Sequence, residues 1–456
     1  MASLVVPSGL TYVQKDLLYQ FFVPLFIDNP ILNEAFTVIP DVKTSRELLK
    51  IGALDKITKG YQRGTSFVSS TGVTITPFTL TVSRMKAQVE QTTDEFWVSV
   101  HQVLVDSGVD ANDIENSPEL RSIIIKAFSD AMTRDMIRQG WLGDTTKETM
   151  TATGSLYSPS GTLDADYKEY TGFWPRIQEL VRTGDIPAAQ VVDVNVTAYQ
   201  NVVAVAGVKT ATITGTSGTA NITINGVAYL ATFATSLTQT ATNFVTTHGA
   251  AILARHGRCV VTSGVGTIIV TAGFPGMNVT VSAPVNVSGD LAGSVATTTA
   301  AVRNTTLKSG AAAAIFQLMW EARTDELAEF DSSTARFDVS RSMYENYKAY
   351  LNTFAGGVQG AYMDLQNGKK TLSFEGIPLI KRPDWDKRIK SADFGFIQPH
   401  RALLSTHENY VFGTDSTDDY AKLEAWYEMK DQLNYFRSQY CAGTQIVHPI
   451  YEVVAI

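Results

Sequence analysis

A chain of 456 residues is too long for one ordinary hydrophobic core, so at least two domains are expected. Apolar residues make up 44% and charged residues only 18%, which excludes a disordered chain and leaves less charged surface than a soluble monomer ordinarily carries. Much of the surface is therefore expected to be buried between subunits, and a net charge of −8 without a sustained Lys/Arg run excludes a tight grip on nucleic acid.

Cys259 and Cys441 are far apart and have no CxxC partner, which points to a reducing compartment and no disulfide framework. The opening run Met1-Ala2-Ser3-Leu4-Val5-Val6-Pro7 lacks the basic region and apolar stretch of a secretory signal, and no later apolar run is long enough to span a bilayer. A soluble chain made in a cytoplasm, without membrane contact, is expected.

Residues 1–40 mix Tyr19, Phe21, Phe22, Leu25, Phe26 and Ile27 with the breakers Pro7, Pro24, Pro30 and Pro40. Two readings stand: an extended arm on another surface, or a local lid on the chain's own core. From Lys56 to Val82 Gly and Thr abound, and in Val73-Thr74-Ile75-Thr76-Pro77-Phe78-Thr79-Leu80-Thr81-Val82 the alternation slips phase at Pro77, as a bulge or kink would require. A long projecting hairpin is expected, with an ordinary edge hairpin as its alternative.

Thr92-x-x-Glu95 is a capping box that opens a helix from Glu95 to Asp106, ended by Gly108. Ser117-Pro118-Glu119 then supplies an N-cap, a first-turn proline and an early acid, after which Leu120, Ile123, Ile124, Ala127, Phe128, Ala131 and Met132 share one face. This helix is expected to run to Gly140, about six turns at 3.6 residues each, with Arg121, Lys126, Asp130, Arg134 and Asp135 opposite.

Near residue 208 the composition changes. Between Val208 and Val302 the only charged residues are Lys209, Arg255, Arg258 and Asp290, while Thr, Val, Ala and Gly dominate, the vocabulary of β-sheet. Ala220-Asn221-Ile222-Thr223-Ile224-Asn225-Gly226-Val227-Ala228-Tyr229 signals a hairpin with a type I′ Asn-Gly turn. Thr267–Thr271 and Asn278–Ser282 alternate as further strands, and Ala241 to Arg255 looks helical. The segment has the size of an immunoglobulin-like sandwich but lacks the Cys…Trp…Cys signature of antibody domains.

After Asn304 the earlier composition returns, with a helix expected from Ser309 to Phe330 and another opened by the capping box Ser342-x-x-Glu345. Asn367-Gly368 turns a hairpin into Leu372–Ile380; short strands are expected from Arg401 to Ile456, with a helix over Tyr420 to Tyr435 as an alternative. Matching compositions on both sides mark residues 208–302 as a domain inserted into a loop of a larger α+β unit.

No catalytic constellation stands out. The histidines His101, His248, His256, His400, His407 and His448 contain no HExxH, and the closest pairs lack metal-ligand spacing on one helical turn. Ser83-Arg84-Met85-Lys86 matches SxxK, but no SDN or KTG follows, and it ends an expected strand instead of opening a helix. Gly264-Val265-Gly266 lacks the third glycine and the helix of a dinucleotide site. Asp418-Asp419 and Glu326…Glu329 read as solvated acids. No enzyme activity, cofactor or metal is expected.

Tyr350-Leu351, Gly360-Ala361-Tyr362, Leu365-x-Asn367-Gly368, Leu372-x-Phe374-x-Gly376-Ile377-Pro378-Leu379-Ile380 and Trp385 resemble the axial-domain region of tailed-bacteriophage major capsid proteins with the Hong Kong 97 fold. Arg401-Ala402-Leu403-Leu404, Glu408-Asn409-Tyr410-x-Phe412-Gly413-Thr414-Asp415 and Gly443-Thr444-Gln445-Ile446-Val447-His448-Pro449 extend the resemblance, and Arg134 to Gly143-Asp144 resembles the close of the family's spine helix. The general look is similar to that of crAss-like phages of gut bacteria.

The resemblance implies an α+β capsid fold interrupted by an all-β, immunoglobulin-like sandwich. Its parts would be an N-terminal arm (1–55), an E-loop hairpin (56–92), spine helix and peripheral domain (93–170), a first axial part (171–207), the insert (208–302), a second axial part (303–400) and returning strands (401–456). It also implies self-assembly into hexamers and pentamers of an icosahedral shell enclosing double-stranded DNA, which is contacted weakly and without sequence specificity. The further partners implied are portal, scaffold, head-decoration and auxiliary capsid proteins, and the location is the virion, assembled in a host bacterial cytoplasm. Phe21, Phe22, Phe26, Arg63, Phe67, Ile75, Phe78 and Leu80 are the inter-subunit contact candidates. The family's Lys–Asn cross-link cannot be carried over to a particular pair, and no long charged scaffolding extension is visible. An encapsulin-like protein compartment shares the fold, but chain length and insert argue against it. A surface adhesin or fibre would predict secretion and repeated β-domains.

Overall fold

The computed structural model describes residues 30–51, 75–92, 118–143, 145, 169–256, 259–273, 275–276, 278–302, 306–328, 334–353, 362–364, 370–383, 385, 400–415, 422–428 and 433–456, and these make a mixed α+β fold. In chain order come helix α1 (Pro30–Ala35), strands β1 (Thr37–Ile39), β2 (Ser45–Ile51), β3 (Ile75–Thr81) and β4 (Ser83–Thr92), and helices α2 (Pro118–Leu142) and α3 (Phe173–Thr183). Next are β5 (Val191–Val192), β6 (Val208–Thr214), β7 (Gly218–Ile224), β8 (Val227–Thr232), α4 (Leu237–Arg255), β9 (Val260–Gly264), β10 (Thr267–Thr271), β11 (Val285–Gly289) and β12 (Ala292–Thr299). The chain continues through α5 (Ala311–Glu321), α6 (Asp325–Ala328), β13 (Ala335–Val339), α7 (Arg341–Leu351), β14 (Tyr362–Asp364), β15 (Lys370–Phe374) and β16 (Ile377–Lys381). It closes with β17 (Ala402–Thr406), β18 (Tyr410–Thr414), β19 (Lys422–Glu428), β20 (Leu433–Ile446) and β21 (Val453–Ala455).

The chain divides into two compact units, the first drawn from Met1–Gly140 and Glu408–His448, the second from Trp141–His407 and Pro449–Ile456. In the first, β20 is the organising strand: β18, β19 and β4 all pair antiparallel with it, and β1 adds to β18 in parallel. The antiparallel register Lys422↔Gln439 to Glu428↔Leu433 settles the Tyr420–Tyr435 alternative in favour of strands. Phe128, Met132 and Met136 recur on one buried stripe of α2, whereas Ala131, read onto that face, is exposed. Nor does α2 stop at Gly140; there the missing side chain leaves room for Phe36, whose Cζ would lie 2.8 Å from a Cβ, and Phe36 stacks on Phe412 at 5.8 Å. The expected helix from Glu95 to Asp106 lies outside the described residues.

The second unit is built on a seven-stranded sheet in the order β14-β15-β16-β13-β17-β21-β5. Strands β13 and β17 are buried at every position, as central strands covered on both faces must be. Ile315, Phe316 and Met319 of α5 and Met343 and Tyr347 of α7 pack on this core. The helix expected from Ser309 to Phe330 is divided into α5 and α6, and α7 is preceded by Ser340 rather than by the capping box at Ser342.

The segment from β6 to β12 has its own core, built of Ala211, Ile222, Phe244, Ile252, Ile268 and Val270 among others. Two small sheets, β12-β6-β10-β9 and β11-β7-β8, share it with α4. This corrects the all-β expectation: a helix of 19 residues contributes Ala241, Phe244 and Ile252 to that core. Chain entry and exit run side by side through antiparallel bridges Gln200↔Leu307 and Val205↔Val302, reinforced by Asn201 N to Thr306 O at 3.2 Å.

Candidate assembly surfaces

Strands β2 and β3 form a two-stranded ribbon in unbroken register from Ser45↔Thr81 to Ile51↔Ile75. The ladder thus begins at Ser45, within the segment read as the arm, and Pro77 lies opposite Leu49 without the expected phase slip. In a two-stranded ribbon each strand is an edge, so a residue lacking an N–H is tolerated without a bulge. No other strand pairs with either one among the described residues.

The root of the ribbon is seated by two glycines. Gly413 and Gly443 face each other across β18 and β20, and Thr81 and Val82 pass over them into β4. A methyl group on Gly443 would overlap the Thr81 carbonyl oxygen and stand 2.9 Å from Val82 Cα; one on Gly413 would stand 2.7 Å from Leu80 Cδ2. Val82 N donates to Thr44 O at 3.0 Å and Val42 N to Thr414 O at 3.1 Å, and Val42, Leu80, Val82, Val411 and Cys441 close over the seat as a buried cluster.

Of the contact candidates, Leu80 is fully buried in this cluster, so its side chain is used within its own unit. Strand alternation identifies an apolar face but not the molecule that covers it, which is why the sequence assigned Leu80 to a neighbour. Phe78, two residues earlier on the same face, is half-buried, and Ile75 opens β3. Phe21, Phe22, Phe26, Arg63 and Phe67 lie outside the described residues.

In the second unit Asp338 of β13, 1% exposed, accepts from Arg336 Nε at 2.8 Å and from Arg382 Nε at 2.6 Å. Arg336 Nη1 also reaches His407 Nδ1 at 2.7 Å. Beside this cluster the Trp385 ring meets Trp141 at 5.0 Å and Trp174 at 5.1 Å, both edge-on, and Arg401 lies over Trp174 at 4.6 Å. Sequence reading missed the charge cluster; its only signal was Arg336-x-Asp338, two residues apart and so on one side of a strand.

Of the residues singled out for chemistry, His101, Glu329, Asp418 and Asp419 lie outside the described residues, and several of the others have structural roles. Ser83-Arg84-Met85-Lys86 lies on β4, where positions three apart point to opposite faces, so Ser83 and Lys86 do not converge. Gly264-Val265-Gly266 is the β9–β10 turn, with Gly266 at φ 65. His256 Nε2 hydrogen-bonds the Tyr229 hydroxyl at 2.7 Å, and His400 Nδ1 the Ser342 hydroxyl at 2.8 Å. Cys259 and Cys441 are free and buried, and burial pushes the Cys259 thiol up to about 12. Among the described residues no cluster of His, Cys, Asp and Glu could hold a metal ion, and no helix is long and apolar enough to cross a membrane.

Asp290, the acid of the insert, staples two turns together. Its carboxylate accepts from the backbone N–H groups of Thr216 and Ser217 and from both hydroxyls, at 2.6 to 3.0 Å. The Thr216 backbone N–H, then the Ser217 and Thr216 hydroxyls, hold it down to about 2. Because the folded value is depressed, its contribution is present above the unfolded carboxyl value near 3.9 and lost as pH falls through about 2. Asp290→Ala is therefore expected to lower the urea midpoint at neutral pH and to converge with the native chain between about pH 4 and about pH 2.

No protein-family profile and no curated protein matches this chain. Among solved structures, the chain is similar to one in the satellite phage P4 procapsid containing size determination (Sid) protein, at 10% identity and TM-score 0.43, covering 97% of this chain and 98% of that one. It is similar also to the capsid of cyanophage A-1(L), at 12% identity and TM-score 0.39 over 96% of this chain and 92% of that one. The capsid of cyanophage P-SCSP1u gives 10% identity and TM-score 0.37 over 92% and 86%.

Proposed function

We propose that this chain is the major capsid protein of a tailed bacteriophage with the Hong Kong 97 fold, a subunit that assembles as hexamers and pentamers into an icosahedral shell around double-stranded DNA. The observation that carries the reading is the glycine-seated ribbon of β2 and β3. Two-stranded ribbons are marginal in water, and their open edges invite pairing or aggregation. A ribbon rooted this firmly makes sense when a neighbouring copy covers it, the role of an E-loop. The resemblance of the stretches from Tyr350 to Trp385 and from Arg401 to Pro449 supports the same reading, as does the low content of charge.

In this reading Phe78 and the aromatic residues of the arm, Phe21, Phe22 and Phe26, contact neighbouring subunits together with Arg63, Phe67 and Ile75. Residues 208–302 are an outward-displayed insertion, immunoglobulin-like in its paired sheets. Portal, scaffold and auxiliary capsid proteins are partners, and DNA is enclosed without being gripped, consistent with a net charge of −8. Electron microscopy of the expressed protein with scaffold supplied is expected to show closed shells. Persistent monomers under every assembly condition would overturn the reading.

A further inference from the structure

The three-stranded sheet of the insert turns an uncharged face outward. Burial of Ala220, Ile222, Ile224, Tyr229 and Ala231 fixes the inward side, so Thr219, Asn221, Thr223, Ala228, Leu230 and Thr232 point outward. Register extends the face to β11, where Val285 lies opposite Asn221 and Ser288 opposite Thr219. One row across the sheet therefore reads Val285–Asn221–Leu230, with Val285 60% and Leu230 45% exposed. No titratable side chain stands in these rows. Asp290, just beyond β11, is occupied by Thr216 and Ser217.

We infer that this face is a contact between copies of the chain, in which the same row of two subunits meets about a two-fold axis; the inference rests on the proposed shell. Three features favour a second copy as the occupant. A face without charge is one that can meet itself without like-charge repulsion. Asn221 sits at the centre of the row, and a carboxamide, being donor and acceptor at once, is self-complementary. With the two-fold axis parallel to the strands and passing through the Asn221 pair, residue i meets j while j meets i, and Leu230 of each copy falls on Val285 of the other. Three strands about 4.8 Å apart and about five residues long cover only roughly 240 Å² per copy. That is too little to hold two free subunits together, so the contact acts where other interfaces already align them.

The test uses the full chain and measures the urea concentration at which assembled shells dissociate. Leu230→Glu is expected to lower that midpoint or prevent closure, by burying a carboxylate against Val285 of the other copy. Mixing Leu230→Glu subunits with Val285→Lys subunits is expected to restore it by pairing the two charges across the contact. Within one copy the two positions are separated by β7, about 9.6 Å apart, a gap that Lys and Glu side chains on one chain can bridge; with the two charges on different chains, rescue reports contact between copies. Leu230→Glu shells as resistant as native ones, or a loss that co-assembly with Val285→Lys subunits does not recover, would overturn the inference. Failure of the native chain to form shells would instead overturn the reading on which it rests.

Discussion

Asp338→Ala is expected to destabilise the subunit by about 3–5 kcal/mol, the cost of withdrawing one partner from a buried ion set. The carboxylate is 1% exposed and faces the side chains of Arg336 and Arg382, themselves 9% and 10% exposed. Its removal takes from two buried guanidinium groups an anion that both of them face. Urea denaturation of the unassembled subunit measures the loss. The combined variant Arg336→Met, Asp338→Leu, Arg382→Met separates charge from packing: an apolar set of similar volume is expected to recover most of the stability. If Asp338→Ala unfolds at the native midpoint, the cluster is not an ion set that the core depends on.

Gly443→Val is expected to have the second large effect, because the group it strikes is backbone. A side chain there meets the Thr81 carbonyl and Val82 Cα, which cannot rotate away, so the root of the ribbon has to lift off β20. Overpacking costs about 1–3 kcal/mol, and the ribbon would lose the position from which it could reach a neighbour. Gly413→Ala should be milder, since the nearest atom is the tip of the Leu80 side chain. The expected order of loss, in subunit unfolding midpoint and in yield of closed shells, is Gly443→Val, then Gly443→Ala, then Gly413→Ala. A Gly443→Val subunit of native stability that still closes shells would refute the seating role.

Features governed by neighbours in sequence were legible. Asn225-Gly226 forms the β7–β8 turn, with φ of 43 and 84 at the two residues, the left-handed pair that a type I′ turn requires. Helix α2 starts at Pro118, the proline read into its first turn. Helix α4 shows where local reading falls short. It begins at Leu237, not Ala241, because Ser236 caps it by accepting from Gln239 N. Its β-branched threonines disguised the first turns, yet Thr240, Thr242 and Thr246 each donate to the carbonyl four residues earlier and so satisfy their hydroxyls inside the helix. The glycine seat and the Asp338 cluster were not legible, since Thr81 meets Gly443 and Asp338 meets Arg382 only after distant strands have paired. A lone Gly or Arg carries no mark of such a partner.

The paired entry and exit of the insert bear on how the chain folds. Contacts between β5 and α5 in the second core are separated in sequence by more than the whole insert, a separation that ordinarily slows folding. Closing a loop of roughly a hundred residues instead of ten costs only about 2 kcal/mol in chain entropy. Even that is removed if the insert condenses first on its own core, because its two ends then emerge bridged at Val205↔Val302 and Gln200↔Leu307. For the host, the effective span between β5 and α5 becomes that of a short turn, and what is long-range in sequence becomes nearly local along the folding path.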